Sequence, residues 1–170
     1  GGIGGHNALC NTFSMNNDTY NIRLALPEDA KDVGLLVNLL LCELSPENQY
    51  DKEKLEHIKA AGKLIEAELV YALLAFDPDK KPVGVCTLYQ GAAIYAHGIF
   101  GEISEFYIAP ECRSNKLGAL LIDAAKEFGR TKGWSILEVG APDVPRWQRS
   151  VDFYLKNGFN EIGPRLGTTL

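Results

Sequence analysis

The chain has no excess of positive charge: 17 Lys and Arg stand against 22 Asp and Glu in 170 residues, a net charge of −5. A nucleic-acid partner ordinarily leaves a basic footprint, so no such partner is expected. Long apolar runs are also missing. A bilayer span needs about 18–20 apolar residues, and the longest candidate, Val33 to Leu44, is interrupted by Asn38, so no membrane partner is expected. Gly1 to Ser14 contains no Lys, Arg, Asp or Glu and lacks the basic start of a signal peptide. Cysteine is sparse, and Cys42, Cys86 and Cys112 are widely spaced without a Cys-x-x-Cys pair. That pattern speaks against a disulfide framework and fits a reduced, cytoplasmic setting. No group of His, Cys and Asp has ligand spacing, so no metal is expected. The phosphate-loop pattern Gly-x-x-x-x-Gly-Lys-Ser/Thr is absent as well. Methionine occurs once, at Met15. Residues 1–14 are accordingly expected to be a cloning remnant, with one domain over 15–170.

What is present is enough for one well-buried core, with 46% hydrophobic residues and 23% charged. Tyr20 to Leu24 reads as a first strand. Pro27, Glu28 and Asp29 open a helix, with Val33, Leu36, Val37, Leu40 and Leu44 as its core stripe. A second helix is expected from Asp51 to Ala61, with Leu55 and Ile58 facing inward and Gly62 ending it. Leu69 to Phe76 and Val83 to Tyr89 read as paired strands about a turn at 77–82. The segment Gly91 to Gly101 either lengthens the third strand or forms a loop over the site. Ser135 to Val139 is a fifth strand, Arg149 to Asn157 a short fourth helix, and one or two strands are expected after Phe159. The order β-α-α-β-β-β-α-β-α-β departs from the strict alternation of a doubly wound sheet.

The most informative stretch runs from Glu102 to Gly133. Glu102 to Ile108 is rich in aromatic and β-branched residues and is stopped by Pro110, as a strand would be. Leu117, Leu120, Leu121, Ala124 and Phe128 recur at helical spacing. Between them lies Arg113-Ser114-Asn115-Lys116-Leu117-Gly118, at the positive end of the coming helix. Unpaired N–H groups there form a ready phosphate site, and Gly118 has no Cβ to obstruct a ligand. Cys112 beside this loop reads as filling, since no His follows at a suggestive spacing.

Strand, Arg113-x-x-Lys116-x-Gly118 and helix together resemble the pyrophosphate motif of the GNAT N-acetyltransferases, with Lys116 in place of the usual first glycine. A second match lies about forty residues on, with one strand between. Ser150-Val-Asp-Phe-Tyr154-Leu-Lys-Asn-Gly158-Phe159 resembles the family's fourth-helix signature, a tyrosine four residues before Gly-Phe. Trp147 and Ser150 stand where many relatives carry Asn and Ala. The resemblance covers nearly the whole chain from Tyr20 onward. It implies the GNAT fold, α/β with a mixed, mostly antiparallel central sheet flanked by about four helices.

It also implies a reaction. Acetyl-CoA would be the cosubstrate, its pantetheine bonded along the backbone of Phe106, Tyr107 and Ile108. Its pyrophosphate would sit at Arg113, Ser114, Asn115, Lys116, Leu117, Gly118 and Ala119. Tyr154 would be the general acid for the leaving thiolate, a role suited to a phenol protonated at neutral pH. The attacking amine must first lose a proton, and a carboxylate of the fourth strand would take it. Glu102 shares strand parity with Ser104, Phe106 and Ile108. Glu105 points to the other face unless a β-bulge intervenes, so both remain, with Glu102 preferred. His97 is a third candidate by its ordinary titration range, although a lone loop histidine is usually just exposed. The reading is an N-acetyltransferase with direct attack in a ternary complex, the alternative being a non-catalytic acyl-CoA-binding module on the same fold. The acceptor is not readable: small amines, polyamines, amino acids, antibiotics and protein lysines or N-termini remain. The short C-terminus hints at a homodimer, with a partner chain completing the sheet edge.

Overall fold

The strands of this chain pair in the order in which they are made. The computed structural model describes residues 13–45, 52–140, 142–163 and 165–170. Its six-stranded sheet runs β1 (Ser14–Asn16), β2 (Asn21–Leu24), β3 (Tyr71–Phe76), β4 (Pro82–Ala93), β5 (Gly98–Ile108) and β6 (Leu137–Val139), each beside its predecessor. Every pair is antiparallel except β5 with β6, which is parallel because a helix crosses between them. Among the described residues four helices flank the sheet: α1 (Ala30–Leu44), α2 (Lys54–Glu66), α3 (Leu117–Lys132) and α4 (Gln148–Lys156).

Alternation along the strands sorts the core into two layers. Ile22, Leu73, Cys86, Leu88 and Ile103 point toward α3, whose Leu117, Leu121, Ala124 and Phe128 are buried against them. Ala72, Leu74, Val85 and Tyr107 point the other way, onto Val33 and Leu36 of α1 and Ile65 of α2. β3 is buried on both faces, which is why it reads as an unbroken apolar run. Leu26 precedes a short 3-10 turn over Pro27–Asp29, and Asp29 holds this entry: its carboxylate accepts from Leu26 N–H at 2.8 Å and from both Arg23 amino groups at 2.7 and 2.9 Å.

Several expectations are corrected here. α2 runs through Gly62 to Glu66, because a glycine inside a helix costs only propensity and does not by itself end it. Leu55 is exposed, whereas Ile58 does face inward, its backbone against Gly34 where α1 and α2 cross. For Gly91 to Gly101 the first of the two expected alternatives holds: the segment is a β-hairpin that lengthens the third predicted strand, here β4, and β5 with it. No strand forms after Phe159 among the described residues, so the sheet ends at β6. Ahead of Met15, Phe13 stacks edge-on against Phe128 and its carbonyl accepts from Leu24 N–H at 3.0 Å, observations that leave the expectation for residues 1–14 as it stands. Asp51, the expected start of the second helix, lies outside the described residues. Among those described, no helix is long and apolar enough to cross a membrane.

Candidate active site

β5 and β6 pair over three positions only, Gly101 with Leu137, Glu102 with Glu138 and Ile103 with Val139. Beyond Ile103 they part, leaving the rest of β5 with an open edge on that side. Ala109 N–H bonds Val83 O at 2.8 Å, so by the alternation of an antiparallel pair Tyr107 also bonds β4 while Phe106 and Ile108 turn their N–H and C=O to the open edge. Arg113 Nε already takes the Ile108 carbonyl at 2.9 Å. An extended ligand arm would therefore find Phe106 and the Ile108 N–H. Tyr107 offers that edge no backbone group.

A cavity of about 400 Å³ opens where the strands part. Leu40 and Leu44 of α1 line it from one face of the sheet, and Trp147, just before α4, with Ser150 and Tyr154 of α4, from the other. Glu102, Ser104 and Phe106 of β5 form its wall, with Tyr89, Val139, Gly140, Pro142 and Arg165 completing it. The gap is thus a passage through the sheet. Leu44, expected in the core, is exposed at its rim. A larger hollow, about 1350 Å³, follows β6 between the end of α3 and α4. It lacks Glu102, whereas the smaller cavity is lined by both Glu102 and Tyr154.

The register decides the faces of the two carboxylates. Thr87 pairs with Glu105 and Leu88 with Ile103, so Ser104 is an extra residue in β5. This bulge turns Glu105 onto the face of Glu102, as their partners Thr87 and Tyr89 share a face. The two then differ in surroundings. Glu102 is buried and lies in the cavity, with Tyr89 Oη donating to its Oε2 and Arg165 paired with its Oε1. Glu105 does not line the cavity; it accepts from the Thr87 hydroxyl, and desolvation raises its carboxyl above the usual range. Glu138, beside Glu102 on β6, is also buried and accepts from Tyr95 Oη at 2.6 Å.

Tyr154 is half-buried among Phe106, Phe153 and Phe159, ring centroids 5.4–6.1 Å apart. Burial, with the Cys86 thiol adding to it, pushes its phenol above the ordinary range, so it is a proton donor at any physiological pH. The one side chain thus packs among aromatic rings and also lines the smaller cavity.

The loop before α3 is exposed from Arg113 to Lys116. Lys116 adopts φ +61°, ψ +10° and so takes a left-handed backbone with a Cβ present. The first intrahelical bond is Leu120 N–H to Lys116 O at 3.1 Å, which leaves the N–H groups of Leu117, Gly118 and Ala119 without helical partners. No acidic residue lies in that first turn. The residues present therefore fit a pyrophosphate. Two side chains of the predicted set are engaged elsewhere: Arg113 binds Glu43 at 2.7 Å and stacks on Tyr107, and Asn115 donates to Tyr20 Oη at 3.3 Å. A Cβ at Gly118 would also lie 3.0 Å from the Phe153 ring, tight enough that the ring would have to give. Cys112 is buried filling, and His97 is exposed in the β4–β5 turn, outside the cavity lining. Tyr89, Glu138 and Arg165 were not found from sequence; no motif marks them, and only the cross-strand register and the path of the tail bring them to Glu102.

This fold, with its parted parallel strands and helix-terminal loop, is that of an acyl-CoA-dependent acetyltransferase. The chain belongs to the acetyltransferase (GNAT) family, whose model matches residues 35–159. It is an enzyme of that family, for which acetyl-CoA is the typical cosubstrate. A predicted acetyltransferase from Clostridium acetobutylicum, solved with acetyl-CoA, superposes with a TM-score of 0.72 at 16% identity, covering 88% of this chain and 96% of that one. A ribosomal-protein-alanine N-acetyltransferase from Brucella melitensis biovar Abortus 2308 gives 0.66 at 20% identity, covering 89% and 99%. An aminoglycoside acetyltransferase from an uncultured soil metagenomic sample, in complex with trehalose, gives 0.67 at 23%, covering 89% and 96%. At these identities the likeness speaks for the fold alone. No curated protein matches the sequence.

Proposed function

We propose that the protein transfers the acetyl group of acetyl-CoA to a primary amine by direct attack within a ternary complex. The observation that carries this reading is that Glu102 and Tyr154 line one cavity at the parting of β5 and β6, a carboxylate and a phenol reaching it through different elements. Bound acetyl-CoA supplies an activated thioester carbonyl. Phe106 and the Ile108 N–H hold the pantetheine, and the N–H groups of Leu117, Gly118 and Ala119, with the Lys116 ammonium, hold the pyrophosphate. Glu102 takes a proton from the incoming ammonium. As the new C–N bond forms and the C–S bond breaks, Tyr154 gives its proton to the thiolate. Glu105, outside the cavity lining, is not the base in this scheme.

The test is thiol release from acetyl-CoA with a panel of alkyl amines, comparing the wild type with Y154F and E102Q. Turnover that drops in both variants is expected. Undiminished turnover in both would remove these roles, and no turnover by the wild type, despite acetyl-CoA binding, would remove the reaction.

A further inference from the structure

Arg165 belongs to the tail beyond α4, where the described residues form neither helix nor strand. It pairs with Oε1 of Glu102 inside the proposed acceptor cavity. The partners are unequal: the Arg165 side chain is 62% exposed and that of Glu102 only 6%. A carboxylate so far removed from water needs a cation, and losing one uncompensated is costly. A mostly exposed arginine on an irregular tail, in contrast, gains little from the pair and leaves easily.

We propose that Arg165 is a built-in competitor for the acceptor and sets its charge class. Its guanidinium holds the place of the acceptor's cationic group on Glu102, so the acceptor is an amine that enters as a cation and exchanges with it one for one. A neutral arylamine would displace Arg165 and leave Glu102 without a counter-charge, so it is rejected. Tyr89 stays on Oε2 throughout and keeps Oε1 aimed into the cavity; it is a positioning residue. Glu138 is the neighbouring carboxylate, held by Tyr95 and adding negative potential on the same face. This inference rests on the acceptor cavity assigned above.

Tethering makes Arg165 act as though present at roughly millimolar concentration, so its removal strengthens cation binding by about tenfold. Calorimetric titration with methylguanidinium tests this without turnover. R165A is expected to bind it about tenfold more tightly than the wild type or R165K, and R165A/E102Q not at all. Equal affinities in wild type and R165A overturn the proposal, as does binding that survives E102Q. In assays, R165A lowers KM for an alkyl amine and leaves KM for acetyl-CoA unchanged. Loss of activity in R165A that added methylguanidinium restores would also overturn it, making Arg165 part of the working site. If methylguanidinium exchanges as expected but no amine is ever acetylated, competition on Glu102 stands and the proposed reaction alone falls.

Discussion

Glu102 and Glu105 stand on the same face of the sheet, opposite Tyr89 and Thr87, because Ser104 is an extra residue in β5. Strand parity alone would separate them. Sharing a face, they differ by place, Glu102 in the cavity and Glu105 outside its lining. E102Q is expected to lower kcat/KM for an amine by about a hundredfold or more, and E105Q by no more than a few-fold. Steady-state kinetics of the two variants decide it, and the reverse order would make Glu105 the base.

Glu105 also predicts a pH-dependent stability. Desolvation raises its carboxyl, so the fold favours the neutral form. Ionisation then costs the folded state stability as pH rises past the unfolded carboxyl's value of about 4.3. E105Q removes that cost while keeping an oxygen for the Thr87 hydroxyl. Its melting temperature is expected to match the wild type near the unfolded carboxyl's range and to exceed it above, the gap widening until the pH passes the raised folded value and staying constant beyond it.

For Tyr154, burial holds the proton on the phenol above its normal range. Wild-type activity is therefore expected to show no alkaline decline from this group below about pH 10. Y154F should lower kcat by about a hundredfold with little change in the acetyl-CoA dissociation constant, read by calorimetry.

Lys116 carries the left-handed turn that starts α3, a conformation costing a side-chain-bearing residue about 1 kcal/mol or more. K116G is expected to gain a few tenths to about 1 kcal/mol of unfolding free energy, the loss of strain exceeding the extra chain entropy of glycine. K116A keeps the strain and gains nothing. Both variants lose the ammonium and should bind CoA more weakly. Denaturant unfolding and calorimetry separate the two effects.

Two glycines should respond in opposite directions. A Cβ at Gly101 would fall 2.1 Å from the ring of Trp134, which is buried and tied to Gln90 Oε1 at 2.8 Å. G101A is expected to cost about 1–3 kcal/mol. At Gly62, inside α2, a Cβ meets Ala30 at an ordinary 3.5 Å, and G62A should stabilise by about 0.5–1 kcal/mol. Thermal unfolding reads both.

Local chemistry by itself determined much of this protein. The apolar run of β3, the stripe of α3, the proline start before α1 and the glycine stop after α3 all follow from short-range spacing and backbone preference. So do the loop Arg113 to Ala119 and Tyr154 before Gly158-Phe159, which carried the family. Long-range register decided the rest. Ser104 counts as an extra residue only against Thr87 and Leu88, strands apart in sequence, so the shared face of Glu102 and Glu105 has no local signature. Arg113 reads as a phosphate ligand until α1 brings Glu43 to it. Gly118, read locally as room for a ligand, also lies against the Phe153 ring, a contact made across thirty-five residues. Arg165 meets Glu102 only because the tail returns over the parted strands. Spacing records which groups a segment can offer; which of them meet is set by packing between segments, and that only the tertiary structure decides.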